Sequence, residues 1–288
     1  MKLALLTILI AVAGVLTAAA QVQTPRESTK QTIIQSVGDG QITLIYSRPN
    51  VKGRKIWGEL VPFDAVWRAG ANEATVFESD RDIAIDGKTL PAGKYSLHMI
   101  PAAAAWTVIF NKDAGQWGSF NYDAAKDALR ITTAPTRASF TETLTYAFND
   151  VTASTAKVSL RWENLAVGFT VDLGDVNGRV LERLRDDIKN RKANDIRPLD
   201  RAAGFVAANK LSAAYGDALG WLETSIAAGE TYSNLSNKAR ILFEQGERVQ
   251  AVAIGEKAIS VGRAATPPVN KDMVNSFEKV VAGWKARK

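Results

Sequence analysis

The sequence predicts an α+β protein of two domains, an antiparallel β-sandwich followed by a small all-α helical-repeat domain. Three observations predict it. Apolar residues recur at every second position up to about Asp172, they recur at helical spacing after it, and part of the second half repeats at an offset of 33 residues. The expected division is a signal peptide over 1–20, a mature N-terminal segment over 21–30, the sandwich over 31–172 and the helical domain over 173–288.

The first segment has the order of an export signal. Lys2 supplies a short positive start, "LALLTILIAVAGVL" is an apolar run too short to span a bilayer comfortably, and the small residues before Gln21 suit cleavage. No cysteine follows the run, which excludes a lipoprotein anchor, and no later stretch is apolar and long enough to cross a membrane. The expected location is outside the cytoplasm, periplasmic or secreted.

Strands come next. "QITLIY" sets Ile42, Leu44 and Tyr46 on one face, and "TLTYAF" does the same with Leu144, Tyr146 and Phe148. "VSLRW" aligns Val158, Leu160 and Trp162, and "VGFTV" aligns Val167, Phe169 and Val171. Such alternation marks strands with one face on a core. "WTVIF" is apolar on both faces and reads as a central strand. Gly38-Asp39-Gly40, Asp86-Gly87 and Pro91-Ala92-Gly93 are turn signals between the runs. The long irregular segments favour the open ends of a sandwich over a closed barrel.

After Asp172 the period is helical. "VNSFEKVVAGW" with the preceding Met273 predicts a stripe of Met273, Phe277, Val280, Val281 and Trp284, after a break at Thr266-Pro267-Pro268. Ala218, Leu219, Trp221, Glu223, Ser225 and Ile226 align at the 33-residue offset with Ala251, Val252, Ile254, Glu256, Ala258 and Ile259. Gly246, Ala251 and Ala258 have tetratricopeptide-repeat spacing, in which small residues let two antiparallel helices approach closely. Such helices make this half the expected docking surface for a protein partner.

Charge separates the halves. Residues 21–172 carry 16 Lys+Arg against 16 Asp+Glu, and residues 173–288 carry 19 against 14. The basic excess is densest in "RLRDDIKNRK" and reads as a solvated helix face. Nothing in the chain resembles a nucleic-acid-binding motif, so nucleic acid is not an expected partner.

Catalytic signals are sparse. With no cysteine and one histidine, no metal site is expected, and no cofactor is implied. His98 alternates away from Tyr95, Leu97 and Met99, which predicts a half-exposed strand residue. No Gly-x-Ser-x-Gly elbow, phosphate loop or His-Glu-x-x-His occurs. Glu59, Asp64 and Glu73 are the carboxylates available to a glycosidase-like hydrolase, with Glu73 or Glu59 as general acid–base.

The densest chemistry lies in "YSRPNVKGRKIWGELVPFDAVWRAGANEAT", residues 46–75. Arg48, Arg54 and Arg68 offer planar forks for carboxylate or phosphate. Trp57 and Trp67 offer flat faces for a sugar ring or an apolar ligand, and Asn72 and Glu73 add directional hydrogen bonds. The stretch suits either a cleft for a small molecule or glycan, or a structural lid over the end of the sandwich. In the lid reading Arg68 pairs with a buried carboxylate such as Glu73.

This stretch, "LPAGKYSLHMIP" and "WTVIFNKDAGQWGSFNYDAAKDALR" together resemble the bacterial family known as domain of unknown function 2911, over roughly residues 28–172. The resemblance implies an exported β domain, often followed by helical repeats, and brings no established activity or catalytic residue. Family-like positions include Gly93, Tyr95, Pro101, Asn111, Lys112, Gln116, Trp117, Gly118 and Tyr122. Gly93 and Gly118 are expected in turns, and Asn111, Trp117 and Tyr122 are expected to join the 46–75 loop at one end of the sandwich. The sequence thus favours a non-catalytic binding protein, with an envelope hydrolase as the alternative. The protein isolated from an envelope fraction is predicted to begin at Gln21. N-terminal sequencing checks this, and a mature pool that keeps Met1 contradicts it.

Overall fold

The structure, a computed structural model, describes residues 24–286; the signal-peptide expectation lies outside them. The described residues form ten strands and then six α-helices. The strands are β1 (Thr29–Val37), β2 (Gly40–Arg48), β3 (Thr75–Ser79), β4 (Ile83–Ile85), β5 (Lys88–Leu90), β6 (Gly93–Ile100), β7 (Trp106–Asn111), β8 (Asp127–Thr133), β9 (Thr136–Asn149) and β10 (Thr155–Asp172). The helices are α1 (Val176–Lys189), α2 (Arg197–Ala208), α3 (Tyr215–Ala228), α4 (Tyr232–Glu244), α5 (Arg248–Ala264) and α6 (Lys271–Ala286).

Two antiparallel sheets face one another. One has the order β1-β2-β3-β6-β7-β8 and the other β5-β4-β10-β9. Between them lies one core that takes Ile42, Leu44, Tyr46, Phe77, Leu97, Val108 and Phe110 from the first sheet. From the second it takes Ile85, Leu144, Tyr146, Val158, Leu160, Val167, Phe169 and Val171. The period-two pattern is therefore the inward face of each strand, and Phe148 packs at its margin. β7, from "WTVIF", pairs on both sides, with β6 and β8.

The last two alternating runs belong to one strand, β10. Its pairing with β9 slips between Arg161 and Leu165, and Glu163 adopts φ +54° there. The irregularity resets the parity, so the buried positions change from even numbers (Val158, Leu160, Trp162) to odd ones (Val167, Phe169, Val171) while facing the same core.

Two of the three turn signals form tight hairpins, and Pro91-Ala92-Gly93 instead carries the chain from one sheet to the other. Val37 faces Gly40 across Gly38-Asp39, with Gly38 at φ +53°. Ile85 faces Lys88 across Asp86-Gly87, both with positive φ, the pattern of a type I′ turn. The first hairpin joins the two halves of the molecule. The Asp39 side chain is only 6% exposed and pairs with Arg81 at 2.6 Å, Arg179 at 2.9 Å and Arg183 at 2.9 Å, the last two from α1. The Arg179 hydrogen bond leads in holding its carboxyl far below the usual carboxylate range. β2 thus starts at the helices and ends, at Arg48, at the opposite end of the sandwich.

In the helical half, α3 and α5 start at Tyr215 and Arg248, which keeps the 33-residue offset. Ala251 and Ala258 are fully buried in a cluster with Leu235, Ala239 and Leu242 of α4 and with Val274 and Phe277 of α6. The α6 stripe differs from the expected one. Val274, Phe277, Val281 and Trp284 are buried, whereas Met273 and Val280 are exposed. Trp284 stacks on Phe243 at 4.6 Å, and Phe277 meets Trp284 edge-on, which turns the helix so that position 274 faces inward. The basic stretch of α1 is interleaved with partners: Arg185 bonds Glu182 and Asp217, and Arg201 lies against Asp187. No helix among the described residues is long and apolar enough to cross a membrane.

Ala251 is fully buried among residues of α4 and α6, so Ala251→Leu is expected to destabilise by about 1–3 kcal/mol through overpacking. Thermal melts check this, and an unchanged melting temperature contradicts it.

Candidate functional site

The loop between β2 and β3 divides its side chains between core and solvent. Val51, Ile56, Trp57, Val61, Trp67 and Ala69 point inward and are buried. Trp57 and Trp67 complete an indole cluster with Trp106 of β7 and Trp162 of β10. Trp57 meets Trp106 edge-on at 4.7 Å and Trp162 at 5.8 Å, and Trp67 stacks on Trp162 at 6.1 Å. The loop backbone is tied to both sheets. Leu144 donates to Pro49 O and Val51 to Glu142 O, while Trp67 and Met99 exchange two bonds of 2.8 Å. Ala69 adopts φ +51°, an uncommon conformation for a residue with a Cβ. Its carbonyl is held there by the hydroxyls of Thr75 (2.9 Å) and Tyr146 (3.0 Å).

Trp67 points inward, and Arg68, its neighbour, points the other way. It enters a cavity of about 270 Å³ lined by Asn50, Arg54, Trp67, Arg68, Asn72 and Trp162, with Glu27 and Ser28 of the N-terminal segment at its edge. Arg68 is half-buried and forms no ion pair among the described residues. Its Nε is buried with no hydrogen-bond acceptor, and burial lowers its pKa. Glu73 is bound to Arg26 at 2.7 Å instead.

The ten residues singled out in the sequence do not share one cleft. Arg54, Trp67, Arg68 and Asn72 line the cavity. Trp57 is turned away from it because its indole fills the space between the sheets. Arg48 is committed to tying the sheets, donating to Leu144 O at 3.0 Å and Thr145 Oγ1 at 2.8 Å. Arg54 fixes its own loop through the carbonyls of Val51 and Asn50. Asn72 donates to Ser28 O at 3.1 Å. Glu73 bridges to Trp117, whose ring, 54% exposed, lies under the Arg26 guanidinium at 5.4 Å.

Asn111 and Tyr122 belong to a neighbouring cluster on the outer face of the six-stranded sheet. Asn111 is fully buried and donates to Asp123 O and Asp127 Oδ1, both at 2.8 Å. Tyr122 donates to Asp127 Oδ2 at 2.7 Å and accepts from Arg130 at 2.6 Å. His98 lies within this cluster and, contrary to the half-exposed expectation, has 0% exposure. The parity was right, but residues 112–126 cover that face. His98 Nδ1 lies 3.0 Å from Ser119 Oγ, Nε2 lies 3.0 Å from Ser96 Oγ, and the Tyr122 ring is 5.2 Å away. Burial pulls its pKa down from 6.5 to about 4, against the smaller upward pull of Asp127 and Asp113. The covering segment also reaches the cleft wall, where Gly118 donates to Asn72 O and Ala74 to Gln116 O, each at 3.1 Å.

Sequence reasoning missed Arg26, Ser96, Ser119, Asp127 and Arg130. Their partners lie far along the chain or on a segment without periodicity, so only the fold brings them together.

The fold and these contacts define a two-part α+β protein with a small polar cleft at one end of a β-sandwich. The chain belongs to the family described as protein of unknown function (DUF2911), which matches residues 28–171, the whole of the sandwich apart from its last residue. No curated protein and no solved structure matches it.

The His98 environment has a pH consequence. Its folded pKa is below its unfolded one, so between about 6.5 and about 4 the unfolded chain binds more protons, and stability falls as the pH drops through that window. Each pH unit costs at most about 1.4 kcal/mol. Melting temperature against pH is expected to slope in this range for the native protein and to flatten in His98→Gln; equal slopes contradict the assignment.

Proposed function

We propose that this is an exported, non-catalytic binding protein that holds a small ligand in the Arg68 cleft, while its helical half docks a protein partner. The observation that carries the ligand reading is the half-buried Arg68 guanidinium, which lines a cavity and forms no ion pair among the described residues, the cavity's one carboxylate, Glu27, being paired with Lys52. A charge so placed is costly unless something pairs with it. A structural arginine would resemble Arg48 or Arg54, whose donors are met by protein carbonyls. The lid reading of the loop applies to Trp57 and Trp67, so the stretch has both roles, divided residue by residue. The export half of the proposal rests on the character of residues 1–20 and the implied family habit. The docking half rests on the paired helices and their kept offset.

The hydrolase alternative gains no comparable observation. A general acid needs a raised pKa, whereas the Arg26 bond lowers that of Glu73. Glu59 is exposed and paired with Lys55 at 3.1 Å.

Arg68 and Trp67 separate site from scaffold. Arg68→Ala is expected to melt within about 1 kcal/mol of the native protein, because no partner is stranded. Trp67→Ala is expected to lose about 3–5 kcal/mol. Denaturation of both variants checks the pair. A loss at Arg68 as large as that at Trp67 makes Arg68 structural and removes the ligand reading.

A further inference from the structure

The charges around the cavity specify what it lacks. Glu27 at its edge is paired with Lys52. Arg54 donates from Nε to Val51 O and from a terminal nitrogen to Asn50 O. Among the described residues Arg68 has neither an ion pair nor an acceptor at Nε, so it is the cation here whose donor is left unmet, while the carbonyls that hold Arg54 satisfy its donors and leave its charge unbalanced. Trp162 also lines the cavity, and its indole N–H is buried without an acceptor. The unmet groups are therefore donors, and one of them is cationic.

From these donors, and resting on the reading of the cleft as a ligand site, we infer that the ligand is a small polar molecule bearing a single carboxylate. The carboxylate occupies the Nε edge of Arg68, where a guanidinium presents two parallel N–H groups at carboxylate spacing. The cation with the unmet donor matches an anionic group. Asn50, Asn72 and Ser28 at the walls favour a body with hydroxyl or amide groups over a hydrocarbon chain. A volume of about 270 Å³ is that of one small building block, below the usual range for larger ligands. Two sources share this chemistry: a sugar acid and the C-terminal end of an amino acid or short peptide.

Matched acid and neutral compounds test it. Glucuronate is compared with glucose and N-acetylalanine with N-acetylalaninamide, and inorganic phosphate is included. Binding is read by calorimetry and by the indole N–H resonance of Trp162, assigned through Trp162→Phe among the seven tryptophans. The expected result is that one of the acids binds at least about tenfold more tightly than its neutral counterpart and moves the Trp162 resonance. Arg68→Gln is expected to abolish that preference while retaining the native melt. The acid that binds identifies the source. If the neutral compounds bind as tightly as the acids, or phosphate binds and neither acid does, the carboxylate assignment is overturned and the cleft remains a ligand site. If no compound moves the Trp162 resonance at millimolar concentration, both the assignment and the reading it rests on are overturned.

Discussion

The indole cluster is the contact on which the upper end of the sandwich depends. Trp106 and Trp162 come from opposite sheets, and Trp57 and Trp67 enter between them from a loop with no regular structure of its own. Four large rings meeting mostly edge to face fill a space that two facing strands would leave open. The indole N–H groups of Trp57 and Trp106 are buried without hydrogen-bond acceptors, and edge-on packing can set such groups against a neighbouring ring face. The cluster also decides the direction of the loop. Once Trp67 is pinned by Trp162 and by its paired bonds to Met99, Arg68 has to face the other way. The uncommon backbone at Ala69 then closes the turn beneath it, held by Thr75 and Tyr146. Scaffold and candidate site are thus consecutive residues of one chain segment.

Much of this architecture was legible in the sequence because burial on one face leaves a periodic trace. Ile42, Leu44 and Tyr46 announced β2, and Val158, Leu160 and Trp162 announced the first half of β10. The continuity of β10 was not legible, because the irregularity near Glu163 changes the parity and makes one strand look like two. The α6 stripe was misassigned by one position at Met273, since amphipathic spacing alone does not rank Met273 against Val274 until Phe243 and Phe277 fix the rotation. At the site, residue type was informative and grouping was not. Nothing local distinguishes Arg48, whose acceptors lie on β9, from Arg68, whose Nε has none among the described residues. His98 was placed on the correct face, but its cover comes from an aperiodic segment whose position depends on Asn111, Asp127 and Tyr122 meeting across the fold.

The two buried polar centres of the β half are of opposite kinds. Around Asp39 one carboxylate is surrounded by three guanidinium groups and is strongly held as an anion. Around His98 the imidazole is enclosed by hydroxyl and aromatic groups and is kept neutral by burial. The first joins elements from the two halves of the chain. The second fastens an irregular segment whose backbone also supports Asn72 and Ala74 at the wall of the cleft.

The position of Asp39 has a consequence for the reach of the molecule. The β1–β2 hairpin begins its turn against α1 and delivers Arg48 and the cleft loop at its far end. Nine residues of extended strand span about 27 Å. The cleft loop and α1 therefore stand at opposite ends of the same extended strand. The sandwich sets the gap between the cleft loop and α1 in the manner of a spacer arm.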